Sequence, residues 1–366
     1  MLQYQINSKG VIDATKLVSH VTIVGKLVPI SNEDYMKLVR LAHDFRKAVT
    51  YATRMIAKKH PTNNILRELR AVLNKAYGDS AYKIAKTLVE GAKFNGSSPR
   101  RIKVRKLFII SEGEASRFGN RNVRLEDIDM AKIRYPYNGT WLNFKVLFGT
   151  KHIPLVKELV ELAKARKVSY GARIVFRNGS IYLHLSIPVH LYLKYFKKRY
   201  ANGKLVAGFD LNSDRVNMVI VDRYGRIRDM KTAWFPEITS HGFPKNKAKA
   251  KRLEALAKLL KYAYYHDVGT VVFENLLMIK HRKYTRSPTA NRKISRFAKK
   301  ELLQHAIISA MKYGFKILLV NPRGTTRSKE HDKAMRKYGL DRHTASAYLI
   351  AVKSIEGRTM IQKTIT

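Results

Sequence analysis

KLVAGFDLNSDRVNMVIVD, residues Lys204 to Asp222, is the stretch on which the reading of the fold turns. Leu205, Val206, Ala207 and Phe209 form an apolar run of the kind that lies in the middle of a sheet, and the run ends on Asp210. An unpaired carboxylate beside such a core would be strongly disfavoured or would protonate, whereas metal ligation removes that cost. The competing reading is local, because Asp210 with Asn212, Ser213 and Asp214 is also good hairpin chemistry. The rest of the chain has to decide between a catalytic acid and a turn residue.

Downstream, a second strand is expected from Val216 to Asp222, a turn at Arg223 to Arg226, and a third strand from Ile227. A basic helix follows from about Lys247 to Tyr265, and Gly269 to Phe273 (GTVVF) reads as a short buried strand that again ends on an acid, Glu274. A helix from Ser295 to Tyr313, the strand Phe315 to Val320 (FKILLV) and a last helix beginning at Asp341 complete the series. Three antiparallel strands and then alternating helices and strands is the element order of the ribonuclease H fold. In that topology the first and fourth strands are neighbours at the sheet centre, so Asp210 and Glu274 can converge. Ala345, Leu349 and Val352 share one face of the last helix, and with that face on the sheet Asp341 looks inward.

Three carboxylates so placed repel one another unless cations sit between them. Oxygen donors favour Mg²⁺ or Mn²⁺. Two such ions, roughly 4 Å apart, can activate a water and stabilise the leaving oxygen in phosphodiester hydrolysis. The ordinary alternatives are an ion pair for Glu274 and an N-cap for Asp341. Asp214 and Asp222 read as turn and hairpin residues, and Asp332 as a surface charge.

Composition points the same way. The 366 residues suggest two or three domains. A formal net charge of +45, from 72 Lys and Arg against 27 Asp and Glu, implies a polyanionic partner, with nucleic acid ahead of a membrane surface. There is no run of about 18 apolar residues and no secretory signal in the polar start MLQYQINSKG, so a cytoplasmic protein is expected. With no cysteine, disulfides, thiolate chemistry and Cys-based zinc sites are excluded.

Upstream, Val18 to Ile30 reads as β structure. Ser31 looks like an N-cap with Glu33 and Asp34 in the first turn, followed by Leu38, Leu41, Ala42, Phe45, Val49 and Ala52 at helical spacing. Further helices are expected over Asn64 to Lys75 and Ser80 to Phe94. After the break NGSSP come a basic strand, Arg100 to Ile110, a helix from Ile153 to Arg166, and a hairpin, Gly171 to Phe176 with Ser180 to Pro188, turned by Asn178 and Gly179. The sequon-like triplets at Asn95, Asn138 and Asn178 are better read as turns. The expected organisation is a β-rich domain (1–30 and 96–190) interrupted by a helical unit (31–95), a basic linker (191–204) and a nuclease domain (205–366).

The positive charge gathers in blocks. Arg100, Arg101 and Arg105 open the basic strand, and Lys197, Lys198 and Arg199 sit among aromatics in the linker, as base stacking or a solvated helix would both allow. Ile279 to Lys300 holds nine Lys or Arg and no acid, among them Lys280, Arg282, Lys283, Arg286, Arg292, Lys293 and Arg296. Arg323 and Arg327 follow the last strand. These are the candidate phosphate contacts flanking the acids.

The motifs GFDLNSD around Asp210, VVFENL around Glu274, VNPRGTT at Val320 to Thr326 and DRHTASAYLIA from Asp341 together resemble the TnpB (OrfB) family of IS200/IS605-type transposons, relatives of the Cas12 nucleases. The helix LVRLAHDFRKAV and the hairpin ARIVFRNGSIYLHLSIPV are similar in place and pattern. The resemblance implies a RuvC-like nuclease domain with Asp210, Glu274 and Asp341 as metal-binding catalytic acids, and a wedge-type β domain holding a helical recognition insertion. It further implies a guide RNA from the chain's own element and a DNA target cut by a metal-dependent endonuclease. The family's zinc ribbon has no counterpart in RGTTRSKEHDKAMRKYG, so no zinc is expected, and Asn212 stands where glycine is usual. The alternatives are an RNA-guided DNA-binding protein lacking cleavage and a guide-independent ribonuclease H-like enzyme.

Overall fold

The computed structural model describes residues 11–94, 96–197, 199–276, 299–326 and 328–362, and the chain divides into two compact units. Met1–Ser19 with Phe196–Thr366 forms one, and His20–Tyr195 the other. Strand β1 (Ile12–Asp13) belongs with the C-terminal half, where it pairs in the antiparallel register Ile12↔Leu319. This corrects the expected boundary. The β-rich unit starts at His20, because Ile12 and Asp13 before it pair with the strand at Leu318 and Leu319 instead.

In His20–Tyr195, β2 (His20–Pro29) is one long strand whose buried positions alternate from Val21 to Leu27, as a strand with one covered face requires. Helices α1 (Asn32–Ala57), α2 (Thr62–Val72) and α3 (Lys75–Phe94) follow. Ser31 Oγ accepts from the Asp34 backbone N–H at 3.0 Å and so starts α1. Asn74 does the same for α3, accepting from Tyr77 N–H at 2.8 Å, which is why that helix begins earlier than Ser80.

The remaining elements of this unit are β3 (Phe108–Ser111), β4 (Gly113–Glu114), β5 (Gly119–Asn120), β6 (Val123–Asp127), β7 (Met130–Arg134), β8 (Trp141–Phe148), α4 (Ile153–Lys164), β9 (Gly171–Arg177), β10 (Ser180–Pro188) and α5 (Val189–Phe196). Seven strands form a sheet in the order β3-β9-β10-β2-β8-β7-β6, with β2 at its centre. The β9–β10 hairpin turns through Asn178 (φ 46°) and Gly179 (φ 70°), the left-handed pair that a tight two-residue turn demands. The basic stretch from Arg100 is not a strand until Phe108: Pro99–Arg101 is a short 3₁₀ turn. Its run of like charges leaves little apolar surface to bury. Asn95 lies outside the described residues.

In the other unit, β11 (Leu205–Leu211), β12 (Arg215–Val221) and β13 (Ile227–Trp234) form an antiparallel meander. Helix α6 (Lys245–Tyr265) leads to β14 (Val268–Glu274), which pairs parallel to β11. Helix α7 (Lys299–Tyr313) leads to β15 (Lys316–Val320), parallel to β14, and then come α8 (Lys329–Tyr338) and α9 (Arg342–Gln362). The sheet order is β1-β15-β14-β11-β12-β13. Leaving β1 aside, this is the strand order expected of a ribonuclease H-like sheet, with the first and fourth strands adjacent.

One face of this sheet is covered by α9. Val206, Val219, Val272, Leu318 and Val320 pack there against Ala347, Ile350 and Ala351. The alternate residues Ala207, Phe209 and Phe273 are also fully buried, and the two phenyl rings lie 5.1 Å apart. Gly208 explains how closely α9 approaches. A Cβ there would fall 2.2 Å from Ala347 O and 2.6 Å from Ala351 N, so only glycine lets the helix backbone rest on β11.

Helix α8 lies where a zinc ribbon would be sought. Ser328 caps it through His331 N–H at 3.1 Å, Glu330 and Asp332 occupy its first turn, Arg336 and Lys337 its last, and Gly339 at φ 63° ends it. Every one of those signals was present in the sequence.

Candidate active site

The parallel pair β11–β14 sets the site. Phe209 is opposite Phe273 in register, so the next residue of each strand, Asp210 and Glu274, emerges at the same end of the sheet. Asp210 is 7% exposed and Glu274 9%, yet both line an open cleft of about 500 Å³ with Asn212, Pro322, Gly324, Thr326, Arg342 and His343. The apolar strands thus deliver two nearly buried carboxylates to one concavity, which is the arrangement the hairpin reading of Asp210 does not produce.

Side chains of the surrounding loops and of α9 hold the two carboxylates. Asn212 Nδ2 donates to Asp210 Oδ2 at 2.6 Å, and His343 Nδ1 is 3.1 Å from the same oxygen. The hydroxyl of Thr325, itself fully buried, donates to Glu274 Oε1. The loop carrying Thr325 is tied back to α9, since Lys353 Nζ reaches Asn321 O at 3.3 Å and also Arg323 O. Behind Asp210, its cross-strand partner Asn217 is buried and donates through Nδ2 to Thr232 Oγ1 at 2.8 Å and Thr344 Oγ1 at 3.1 Å. That network joins β12, β13 and the first turn of α9.

Asp341 is placed differently. It lies just before α9, is exposed, and its Oδ1 accepts from the backbone N–H of His343 at 2.9 Å and of Thr344 at 3.3 Å, while the Thr344 hydroxyl donates to Oδ2. It caps the helix. Burial pushes its carboxyl up, but the Thr344 hydroxyl and the two backbone donors outweigh that and hold it below the usual range. Asp341 is not among the residues lining the cleft, and His343 is. The structure therefore brings two of the three expected acids together and supplies an imidazole beside them.

The reason is the face that α9 turns to the sheet. Ala347, Ile350, Ala351 and Ser354 form its buried stripe, and stepping back one turn from Ala347 reaches His343. The expected stripe through Ala345, Leu349 and Val352 is rotated from this: Ala345 packs instead with Leu340 and Ala334 of the α8 region. The small residues that Gly208 requires were the usable sign, and they select His343. Among the described residues no group of three His, Asp or Glu is arranged to hold a metal.

The remaining acids behave as turn and surface residues. Asp214 pairs with Arg215 at 3.1 Å, Asp222 pairs with Arg226 and Arg228 at 2.9 and 2.8 Å, and the Asp332 side chain is 65% exposed.

Of the expected phosphate contacts, Arg100, Arg101, Arg105 and Arg323 are exposed. Lys197 lies over the Tyr200 ring at 4.2 Å. Arg199 is half-buried over the rings of Tyr264, Tyr265 and Tyr313, at 4.8, 5.1 and 5.5 Å, so it is packed among aromatics. Lys198, Lys280, Arg282, Lys283, Arg286, Arg292, Lys293, Arg296 and Arg327 lie outside the described residues.

Comparison with known proteins places the chain beside archaeal relatives. The family model described as the SSO2105 N-terminal domain matches residues 20–197, close to the span of the β-rich unit. The uncharacterized protein SSO2105 of Saccharolobus solfataricus is 41% identical, over 97% of this chain and 98% of its own. Among solved structures, T. thermophilus RuvC in complex with a Holliday junction substrate matches 43% of this chain and 96% of its own, at 16% identity and a TM-score of 0.30. A CRISPR-Cas12f ternary complex matches 87% of this chain and 81% of its own, at 12% identity and a TM-score of 0.31. The sheet itself has the strand order and register of a ribonuclease H-like fold. No helix among the described residues is long and apolar enough to cross a membrane.

Proposed function

The chain belongs to the SSO2105 family, and from the cleft at the ends of β11 and β14 we propose that it is a metal-dependent, RuvC-like endonuclease that hydrolyses phosphodiester bonds of nucleic acid. The observation that carries this reading is the convergence of Asp210 and Glu274, in register on adjacent parallel strands, in one open cleft. Net charge of +45 supports a polyanionic substrate. The motif resemblance to TnpB refines it to a transposon-encoded, RNA-guided DNA endonuclease that takes its guide from its own element.

Asp210 and Glu274 fit a hard divalent cation: both offer carboxylate oxygens, and Mg²⁺ is commonly held by one or two carboxylates together with substrate phosphate. Bound there, one or two Mg²⁺ or Mn²⁺ ions would supply Lewis-acid activation of water and stabilisation of the leaving oxygen. The chain's own contributions are distinct. Thr325 and Asn212 orient the two carboxylates, Arg342 at the cleft wall faces an incoming phosphate, and His343 bridges Asp210 to α9. The motif resemblance alone carries Asp341 as a third acid: it caps the start of α9 and does not line the cleft.

The test is guided cleavage. The full chain is purified from cells carrying its native flanking DNA, the RNA retained after a high-salt wash is sequenced, and a matching plasmid is offered with Mg²⁺. One dominant RNA with a fixed scaffold, and cutting lost in Asp210→Ala and Glu274→Ala, is the expected outcome. Undiminished cutting by those variants would sink the assignment. The engagement of Asp341 as a helix cap favours one second reading, an RNA-guided binder that does not cut, which predicts tight target binding with intact plasmid at every metal concentration. Turnover of hybrids or junctions without any RNA would instead indicate a guide-independent ribonuclease H-like enzyme.

A further inference from the structure

The first turn of α8 carries a buried histidine that the proposed chemistry does not use. His331 is 2% exposed. Its backbone N–H goes to the Ser328 cap, and its ring lies against the start of α9, with Nε2 2.9 Å from Arg342 O. A carbonyl oxygen can only accept, so Nε2 carries a hydrogen and donates it, and in the neutral ring Nδ1 is then the bare nitrogen. Nδ1 stands 3.7 Å from Asp332 Oδ1, beyond hydrogen-bond reach, and that carboxylate is largely exposed. The bond to Arg342 fixes the tautomer.

That bond meets the part of α9 on which the cleft depends. Arg342 and His343 both line the cleft, and His343 Nδ1 is 3.1 Å from Asp210 Oδ2. The bonds that Asp341 makes to the N–H groups of His343 and Thr344 lie within this first turn, so they shape it without fixing it to its surroundings. From the sheet, Asn217 Nδ2 reaches Thr344 Oγ1 at 3.1 Å. From α8, His331 reaches Arg342 O, and the corner is closed by Ser346, which is 1% exposed and donates to the same carbonyl at 3.0 Å. A turn held from the sheet alone can pivot, and a second directional bond from another helix stops it. The contacts of Ala345 with Ala334 and Leu340 bring α8 and α9 together, but apolar packing has no direction of its own.

We propose that His331 is a positioning residue for the cleft: its Nε2–H holds the Arg342 carbonyl and so sets the rotation at which the first turn of α9 presents Arg342 and His343 beside Asp210. The role rests on the nuclease reading of that cleft. It also gives α8, which fills an interval without cysteines, a task of its own.

Three substitutions at this position separate the bond from the bulk. His331→Gln places an amide nitrogen where Nε2 was, His331→Asn reaches only as far as Nδ1, and His331→Leu fills the space with no donor. In the full chain, the cutting rate at saturating target should fall about tenfold in His331→Leu and His331→Asn and return to within about twofold of wild type in His331→Gln. The Gln and Asn variants are alike in polarity, so their comparison stands even where the Leu variant melts early. A second readout needs no cutting. In protein labelled with ¹⁵N-histidine, long-range ¹H–¹⁵N spectra show which ring nitrogen carries hydrogen, the two rings being assigned by loss of signal in His331→Gln and His343→Ala. His331 should show Nε2–H, and the His343 ring signals should move in His331→Leu and His331→Asn but keep their wild-type positions in His331→Gln. Nδ1–H at His331, an unmoved His343 signal in His331→Leu, or equal behaviour of the Gln and Asn variants would overturn the proposal. Full-rate cutting by His331→Leu would remove the positioning role and leave the nuclease reading intact. A wild-type chain that cuts nothing would remove the nuclease reading, and the ring spectra would still decide whether His331 sets His343.

Discussion

The two ends of the six-stranded sheet treat their carboxylates in opposite ways. At the end where β12 runs into its hairpin, Asp222 accepts from the backbone N–H groups of Tyr224 and Arg226, at 2.9 and 3.0 Å, and pairs with the guanidinium groups of Arg226 and Arg228. Its charge is answered by the protein itself. At the other end, Asp210 is as deeply buried but takes an amide from Asn212 and an imidazole from His343. An acid met by an amide and an imidazole rather than by guanidinium groups is open to an external cation, whereas one wrapped in arginine has been spent on the fold. Burial alone does not separate the two; the chemistry of the partners does.

The strongest way to break this contrast is to remove each kind of acid. Asp210→Ala or Glu274→Ala should lower phosphodiester cleavage by about a thousandfold or more while leaving thermal stability near wild type. Asp222→Ala should do the reverse, costing stability and sparing the rate. Cleavage assays paired with melting curves decide it, and a cut rate that survives Asp210→Ala erases the distinction. Gly208→Ala comes next. A methyl group there meets the backbone of α9, so the helix must move, at a cost of about 3 kcal/mol measured by denaturant unfolding. Because His343 rides on that helix, cutting should fall along with stability.

How much of this was legible beforehand depends on which kind of element carries the residue. Asp210 and Glu274 could be placed from sequence because strand order fixes which ends are neighbours, and an apolar run that stops on an acid marks the end itself. The Asn178–Gly179 hairpin and the Ser31 cap were legible for the same local reason. Helix rotation was not. Ala345, Leu349 and Val352 and the true stripe Ala347, Ile350 and Ala351 are both apolar at helical spacing, and the choice between them is made by Gly208, far away in the chain. His343 was missed with it. Helix α8 has an ordinary cap at Ser328 and stop at Gly339, but only His331 and Ala334 are buried between them, so no apolar stripe marks it. The extra edge strand β1 has only two residues, too short for any periodicity to announce it.

The contrast can be sharpened at the start of α9. Asp341→Ala removes a cap and should cost about 1 kcal/mol of stability. His343→Ala leaves the cap intact but frees one side of Asp210, and should lower cutting roughly tenfold to a hundredfold with little change in melting temperature. If Asp341→Ala instead abolishes cutting as fully as Asp210→Ala, then the helix start closes onto the cleft during catalysis and the acid is both cap and ligand.

The smallest expected effect lies at the quiet end of the sheet and is read by pH. Burial pushes the Asp222 carboxyl up, but the backbone donors of Arg226 and Tyr224 and the two guanidinium groups prevail, lowering it to about 2 from an ordinary 3.8. A depressed folded-state pKa stabilises the ionised form, so its contribution is fully present above the unfolded value. It is lost as the pH falls from about 4 toward 2, because the unfolded chain takes up the proton first. Comparing wild type with Asp222→Asn across that window isolates this one group: the stability gap between them should be constant near neutrality and shrink on acidification. A gap that stays flat to pH 2 would mean that the arginines around Asp222 do not hold its charge, and that the two ends of the sheet differ less than their hydrogen bonds suggest.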